Sequence, residues 1–344
     1  MNLHLLIPGL FWPETERPEV YGNLSLPALE VILAKSHATE SHPQEIEGWL
    51  CQSFGVPKQQ DWPVAPIMLQ IDGTDKLKAG GGYWLRADPV HLRIENNHIL
   101  LADSQVFTIS LKESTQLADT LNQYFEKSGL TFLPLHSDRW YIHINKIPDL
   151  QTRLLSEVAG KNINNLLPIG KDSAQWHSIF NEIQMLLHDH PLNLERETRG
   201  ELIINSIWLW GGGVIPQSIR SVFNQVWCNH AFTHALAVAS GISPRPLPHD
   251  ATVWQQSTEQ GNHLVLLDTL WGKTQYKNIY EWRESLSMLD RNWFSPLLAA
   301  IKNKKISQLT ITALNENCIR NFVITPNSLW KFWTRAKPLS GYAK

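Results

Sequence analysis

The residues best able to do chemistry in this chain are arginine forks, isolated carboxylates and one pair of histidines. The stretch HDHPLNLERETRGELIINS gathers His190, Asn193, Arg196, Arg199 and Asn205 just before a glycine triplet, Gly211-Gly212-Gly213. Arginine presents paired donors that match phosphate or carboxylate oxygens, so a small oxyanion is the ligand such a set would take. A solvated helix end with two surface arginines uses the same residues equally well. In WLRADPVHLR the alternation of a strand places Arg86 and Asp88 on one face, and there a structural ion pair is favoured over a ligand site. NHAFTH sets His230 and His234 four apart on a predicted helix, the spacing of a paired metal site. Ala231 stands where H-E-x-x-H has its glutamate, so helix surface or packing is the preferred reading.

Other signatures fail on their details. Neither Ala79-Gly80-Gly81-Gly82 nor the second glycine cluster leads into Lys and a hydroxyl residue, as a P-loop requires, and tight turns are expected at both. The second cluster closes an apolar run, IINSIWLW, at a strand end, where open α/β sheets place ligands. No G-x-S-x-G elbow occurs. Gly170-Lys171-Asp172-Ser173 lacks the upstream glycine of a phosphate loop and is read as the entry to a helix with Ser173 as N-cap.

Apolar runs alternate with amphipathic ones, and these elements must position any site. LHLLIPGL, HLVLLD and QLTITAL have the continuity of strands buried on both faces. LSLPALEVILAKS, SAQWHSIFNEIQMLL and FTHALAVASG read as helices, the last closed by Gly241. The pattern predicts an α/β protein with a mostly parallel sheet flanked by helices. Shorter strands from about Gly80 to Gly200 mark an inserted α+β domain, giving a core of 1–79 and 201–344 and an insert of 80–200.

The chain has 344 residues, 43% of them hydrophobic and 18% charged, with a formal net charge of -2, which suits a large core and no long disordered tail. That charge, without a basic stripe, argues against nucleic acid. No bilayer-length apolar segment and no signal-peptide pattern are seen, and three scattered cysteines suit reduced thiols, so a cytoplasmic protein without membrane partners is expected. Most of the 15 tryptophans lie in apolar patterns and are assigned to the core.

In order along the chain, LSLPALEVILAKS, GGGYWLRADPVHLRIENNHILLADS, HSDRWYIHI and HDHPLNLERETRGELIINSIWLWGGG resemble segments of the archaeal-type cofactor-independent phosphoglycerate mutases of the alkaline phosphatase superfamily. The similarity looks closer still to bacterial RpfE-type regulatory proteins. The resemblance covers nearly the whole chain and implies an alkaline-phosphatase-like core carrying the α+β insert.

The departures concern the metal and nucleophile positions that the resemblance implies. Where the family has Asp-Gly after the first strand, this chain has Pro8-Gly9-Leu10, and near the place of the nucleophilic serine it has Asp61 and Trp62. Asp268 is kept without a nearby histidine, and Asn315, Glu316 and Asn317 stand where Asp-His is expected. Family chemistry resembles a two-metal displacement, which asparagine and one aspartate cannot support. The expectation is therefore a non-catalytic protein with a regulatory role, no cofactor, and a possible protein partner. A phosphorylated or carboxylate ligand would sit on Arg86, Asp88, Arg139, Asn193, Arg196, Arg199 and Asn205. The alternative is a metal-dependent phosphomutase or phosphatase with two Mn or Zn ions, drawing on Asp72, Asp75, Asp268, Glu316, His230 and His234.

Overall fold

The uninterrupted apolar run at the N-terminus becomes β1 (Asn2–Pro8) in the computed structural model, which describes residues 1–14, 17–79, 81–331 and 333–343. The other strands, in chain order, are β2 (His37–Ser41), β3 (Tyr83–Glu95), β4 (His98–Ala102), β5 (Phe132–Pro134), β6 (Trp140–Ile144), β7 (Ser206–Gly213), β8 (Gln225–Trp227), β9 (Asn262–Leu266), β10 (Gln308–Leu314) and β11 (Ile319–Ile324).

One compact unit comprises Met1–Phe54 and Arg220–Lys344. Its six-stranded sheet runs β2-β11-β10-β1-β9-β8. β1 lies parallel to β10 and β9, and β8 parallel to β9, while β11 and β2 continue antiparallel at one edge. β1 is sequestered because Leu5, Leu6 and Ile7 are fully buried, as a strand with helices on both faces must be. Helices Pro27–Lys35, Ile279–Leu289 and Ser295–Lys302 supply much of the covering layer, with Leu29, Ile32, Trp282, Leu286, Leu297 and Ile301 in one core. The mostly parallel α/β architecture expected from the sequence is the one observed.

The other unit is Gly55–Ile219. Here β4-β3-β6-β5 form an antiparallel sheet, with β7 also pairing β3. Helix Ser173–His188 packs Trp176, Ile179, Ile183 and Leu187 into this unit's core, on the face that its spacing predicts. Its N-cap position is Asp172 rather than Ser173, whose hydroxyl instead donates to the Gly170 carbonyl at 2.8 Å.

The unit bounds fall outside the expected 80–200 because helix Val64–Asp72 packs on the second sheet. The glycine triplet provides the room. A Cβ on Gly211 would stand 2.8 Å from Val64 Cβ, and one on Gly213 2.6 Å from Pro63 Cβ. Gly211–Gly213 are therefore the end of strand β7, as the apolar run before them indicated, and lie buried under a helix rather than forming the tight turn also expected there. In the first glycine cluster, Gly80 lies outside the described residues, while Gly81 and Gly82 take φ of +61° and +88°.

Candidate functional site: the carboxyl ends of the parallel strands

Parallel strands end together, so the segments leaving β1, β8, β9 and β10 gather along one rim of the sheet, where α/β proteins bind ligands. β1 ends on Pro8, which has no N–H to donate. Gly9 turns the chain at φ +73°, its N–H donating to the Leu314 carbonyl at 3.1 Å. A Cβ here would stand 2.7 Å from Thr274 Oγ1, so the turn admits no side chain.

The segment after Gly9 is apolar. Leu10, Phe11 and Trp12 are all buried. The Trp282 indole N–H donates to the Gly9 carbonyl at 2.8 Å, and the Trp12 amide donates to the Tyr21 hydroxyl at 2.8 Å. Trp12 and Tyr21 each meet the Trp282 ring edge-on, at 5.4 and 5.5 Å between centroids. Burial pushes the Tyr21 phenol up to about 12, so it stays a neutral acceptor. Beyond β1 the rim is thus filled largely by an aromatic plug, with a small cavity left beside Phe11 and Trp12.

Beyond β8 and β9 the rim keeps polar groups. Cys228 is buried, and desolvation, with the charge of Asp268 added, pushes its thiol up to about 12, so it is no nucleophile near neutrality. His230 stands at the N-cap position of helix Ala231–Ala239 without a side-chain capping bond, its Nδ1 3.0 Å from Thr233 Oγ1 and its ring 5.9 Å from that of Trp271. Burial lowers its pKa and the Asp268 carboxylate partly restores it. His234, one turn on, is exposed, so the two histidines do not act as a pair. After β10, the Asn315 N–H donates to the Cys318 carbonyl at 3.2 Å in a turn whose tip, Glu316 and Asn317, is exposed.

Among the described residues no three His, Cys, Asp or Glu side chains are grouped so as to hold a metal ion. His230 and Asp268 on one side, with Glu316 at a separate turn, do not match a two-metal centre, which needs several ligands converging on each ion. Asp61 lies in the second unit, where it accepts from the Thr152 N–H at 3.0 Å and from its hydroxyl. Asp75 is exposed and pairs with Lys78 at 3.8 Å.

The seven residues expected to take an oxyanion all fall in the second unit, in three places. Arg86 is fully internal. It donates to both Asp88 oxygens from Nη2, at 2.7 and 2.8 Å, and from Nε at 3.0 Å, between the rings of Tyr141 and Trp210. Asp88 also accepts from the Trp140 N–H and the Trp210 indole. Burial outweighs even the adjacent guanidinium and raises its carboxyl to about 6. Arg139 adjoins this network through Asp72, bonded at 2.7 and 2.8 Å, and Tyr141 donates to the same carboxylate.

Asn193, Arg196 and Arg199 form a second group around helix Pro191–Thr198. Arg196, 1% exposed, donates to the carbonyls of Leu202 and Thr108 and to Glu113. Arg199 pairs with Glu201 and Glu113, and Asn193 bonds the backbone of Leu187 and Ile204. Asn205 stands apart, bonding both backbone groups of Leu92. Each side chain is satisfied by the protein itself, so this geometry is that of struts. The residues that sequence patterns miss lie on the rim: Trp12 and Arg320, which no local motif marks.

A mostly parallel α/β unit together with a second, α+β unit is thus the class that the fold defines. No family model matches the chain. Over 151 residues, 42% of this chain and 38% of the relative, it is 31% identical to the 2,3-bisphosphoglycerate-independent phosphoglycerate mutase of Methanosarcina mazei. Over 157 residues, 43% of this chain and 39% of the relative, it is 32% identical to the same enzyme of Methanosarcina acetivorans. The matched stretches span about two fifths of the length of these curated relatives. A solved structure from Pyrococcus horikoshii aligns over 94% of this chain and 87% of that one, with TM-score 0.54 and 12% identity, a likeness of fold alone. The chain is homologous, over part of its length, to archaeal cofactor-independent phosphoglycerate mutases.

Proposed function

We propose that this chain is a non-catalytic phosphoglycerate-mutase-like protein with a cytoplasmic regulatory or binding role, of the kind that the RpfE-type resemblance implies. The observation that supports this most is the aromatic plug after β1. Where a metal-binding acid would begin the site, Pro8 and Gly9 run straight into buried Leu10, Phe11 and Trp12. Phosphoryl transfer by paired cations needs charge concentrated at that point, and an apolar filling opposes it. A ligand role for Arg86, Arg139 and Arg196 would require breaking buried bonds to carboxylates, which opposes use of those residues as a ready anion site.

A second reading, a phosphatase with rearranged ligands, is favoured by one observation: His230 and Asp268 remain electrostatic neighbours on the rim. One experiment separates the two. The purified full chain is assayed for interconversion of phosphoglycerates and for hydrolysis of a generic phosphate ester, with added Mn or Zn, and its bound metal is quantified. The proposal expects neither turnover nor stoichiometric metal. Turnover that rises with metal content would sink it.

A further inference from the structure

At the carboxyl ends of β1 and β10 lies a cavity of about 60 Å³ whose lining includes Phe11, Trp12, Asn315, Glu316, Cys318 and Arg320. A single water needs roughly 10–15 Å³ on this measure, so the space takes several waters or one molecule of a few heavy atoms. Two of its lining residues carry a buried polar atom with no hydrogen-bond partner, Asn315 Oδ1 and Arg320 Nε, and a third, Trp12 Nε1, acts on the Glu14 carboxylate without reaching full hydrogen-bond geometry. Trp12 is 1% exposed and Arg320 9%. Buried polar groups in folded proteins are nearly always bonded, so two orphans and a poorly aligned indole around one cavity call for an occupant.

Their chemistry specifies it. Two are donors and one is an acceptor. Arg320 also brings a positive charge, lying over the Phe11 ring at 5.5 Å and donating through Nη1 to the Tyr342 carbonyl. Its Nε is 3.0 Å from Glu40 Oε1, outside hydrogen-bond geometry, and that glutamate side chain is 63% exposed, so the pairing is weak and screened. We infer that this cavity is a metal-free site for a small hydroxycarboxylate. Its carboxylate accepts from the Trp12 indole and the Arg320 guanidinium, and its hydroxyl donates to Asn315 Oδ1. A phosphate dianion fits less well, because Glu316 shares the lining and the volume is small. The inference rests on the reading that this rim holds no metal pair, with Arg320 supplying the positive charge there.

The test is calorimetric titration of the EDTA-treated full chain with sodium glycolate, with sodium acetate as the same charge lacking the hydroxyl, and with sodium chloride at matched ionic strength. Glycolate is expected to bind saturably and acetate about tenfold more weakly. Asn315→Leu removes that difference, and Trp12→Phe weakens both ligands about tenfold. Far-UV circular dichroism checks folding, and if Trp12→Phe does not fold, Asn315→Leu at its turn decides alone. Glycolate heats equal to those of chloride would mean water only and overturn the inference, as would equal binding of acetate and glycolate. Glycolate binding that appears only with added Mn or Zn would overturn both this inference and the non-catalytic reading. Plain absence of glycolate binding leaves that reading standing.

Discussion

Arg86 and Asp88 illustrate what a charge does once it is walled in. Each satisfies the other, and removing one leaves a buried ion without a partner. Arg86→Met is therefore expected to cost about 3–5 kcal/mol, read as a lower urea midpoint with an unchanged slope. Asp72 provides a pH signature. Burial alone would raise its carboxyl, but the bonds from Arg139 and Tyr141 prevail and hold it below its usual 3.8. A depressed folded-state value means that the stabilisation is complete above 3.8 and is lost as the pH falls through the folded value. Asp72→Asn should thus be less stable than the parent at pH 7 and lose less further stability on acidification, which urea titrations at neutral and acid pH measure directly. That Arg86 and Asp88 share a face was legible from strand alternation alone. That Trp210 and Tyr141 close over them was not, because those rings arrive from distant strands and only the pairing of β3 with β7 and β6 brings them in.

The elements were legible where one period dominated. β1, β9 and β10 announce themselves as short unbroken apolar runs, and helix Ser173–His188 by its three-and-four spacing. The glycine triplet misled because glycine serves both turns and close packing, and only the neighbour decides which. Here the neighbour is helix Val64–Asp72. Gly211→Ala adds a methyl group 2.8 Å from Val64 Cβ on a backbone at φ +64°. It should cost about 2 kcal/mol or more and lower Tm by several degrees, measured by scanning calorimetry. A milder loss is expected at the other end of the scale. Ser110 and Glu113 form a reciprocal capping box on helix Leu111–Phe125, and Ser110→Ala should cost about 1 kcal/mol.

For the whole molecule, the α/β class and the presence of a second unit were legible in the order of the runs, but the bounds were not. Residues 55–79 read as core because their helix is as apolar as any other, and sequence gives no direction to a buried face. The division into two units predicts that unfolding resolves into two transitions. Gly211→Ala and Arg86→Met should both displace the same one. The edge-on indoles beyond β1 have a further consequence. Trp12 and Trp282 sit 5.4 Å apart with their planes at 67°, close enough for their excited states to mix. That pair should give the protein a strong, two-signed near-ultraviolet dichroic band of its own. The band would vanish in Trp282→Phe and change shape when anything reaches the Trp12 indole, a built-in optical gauge that needs no added dye.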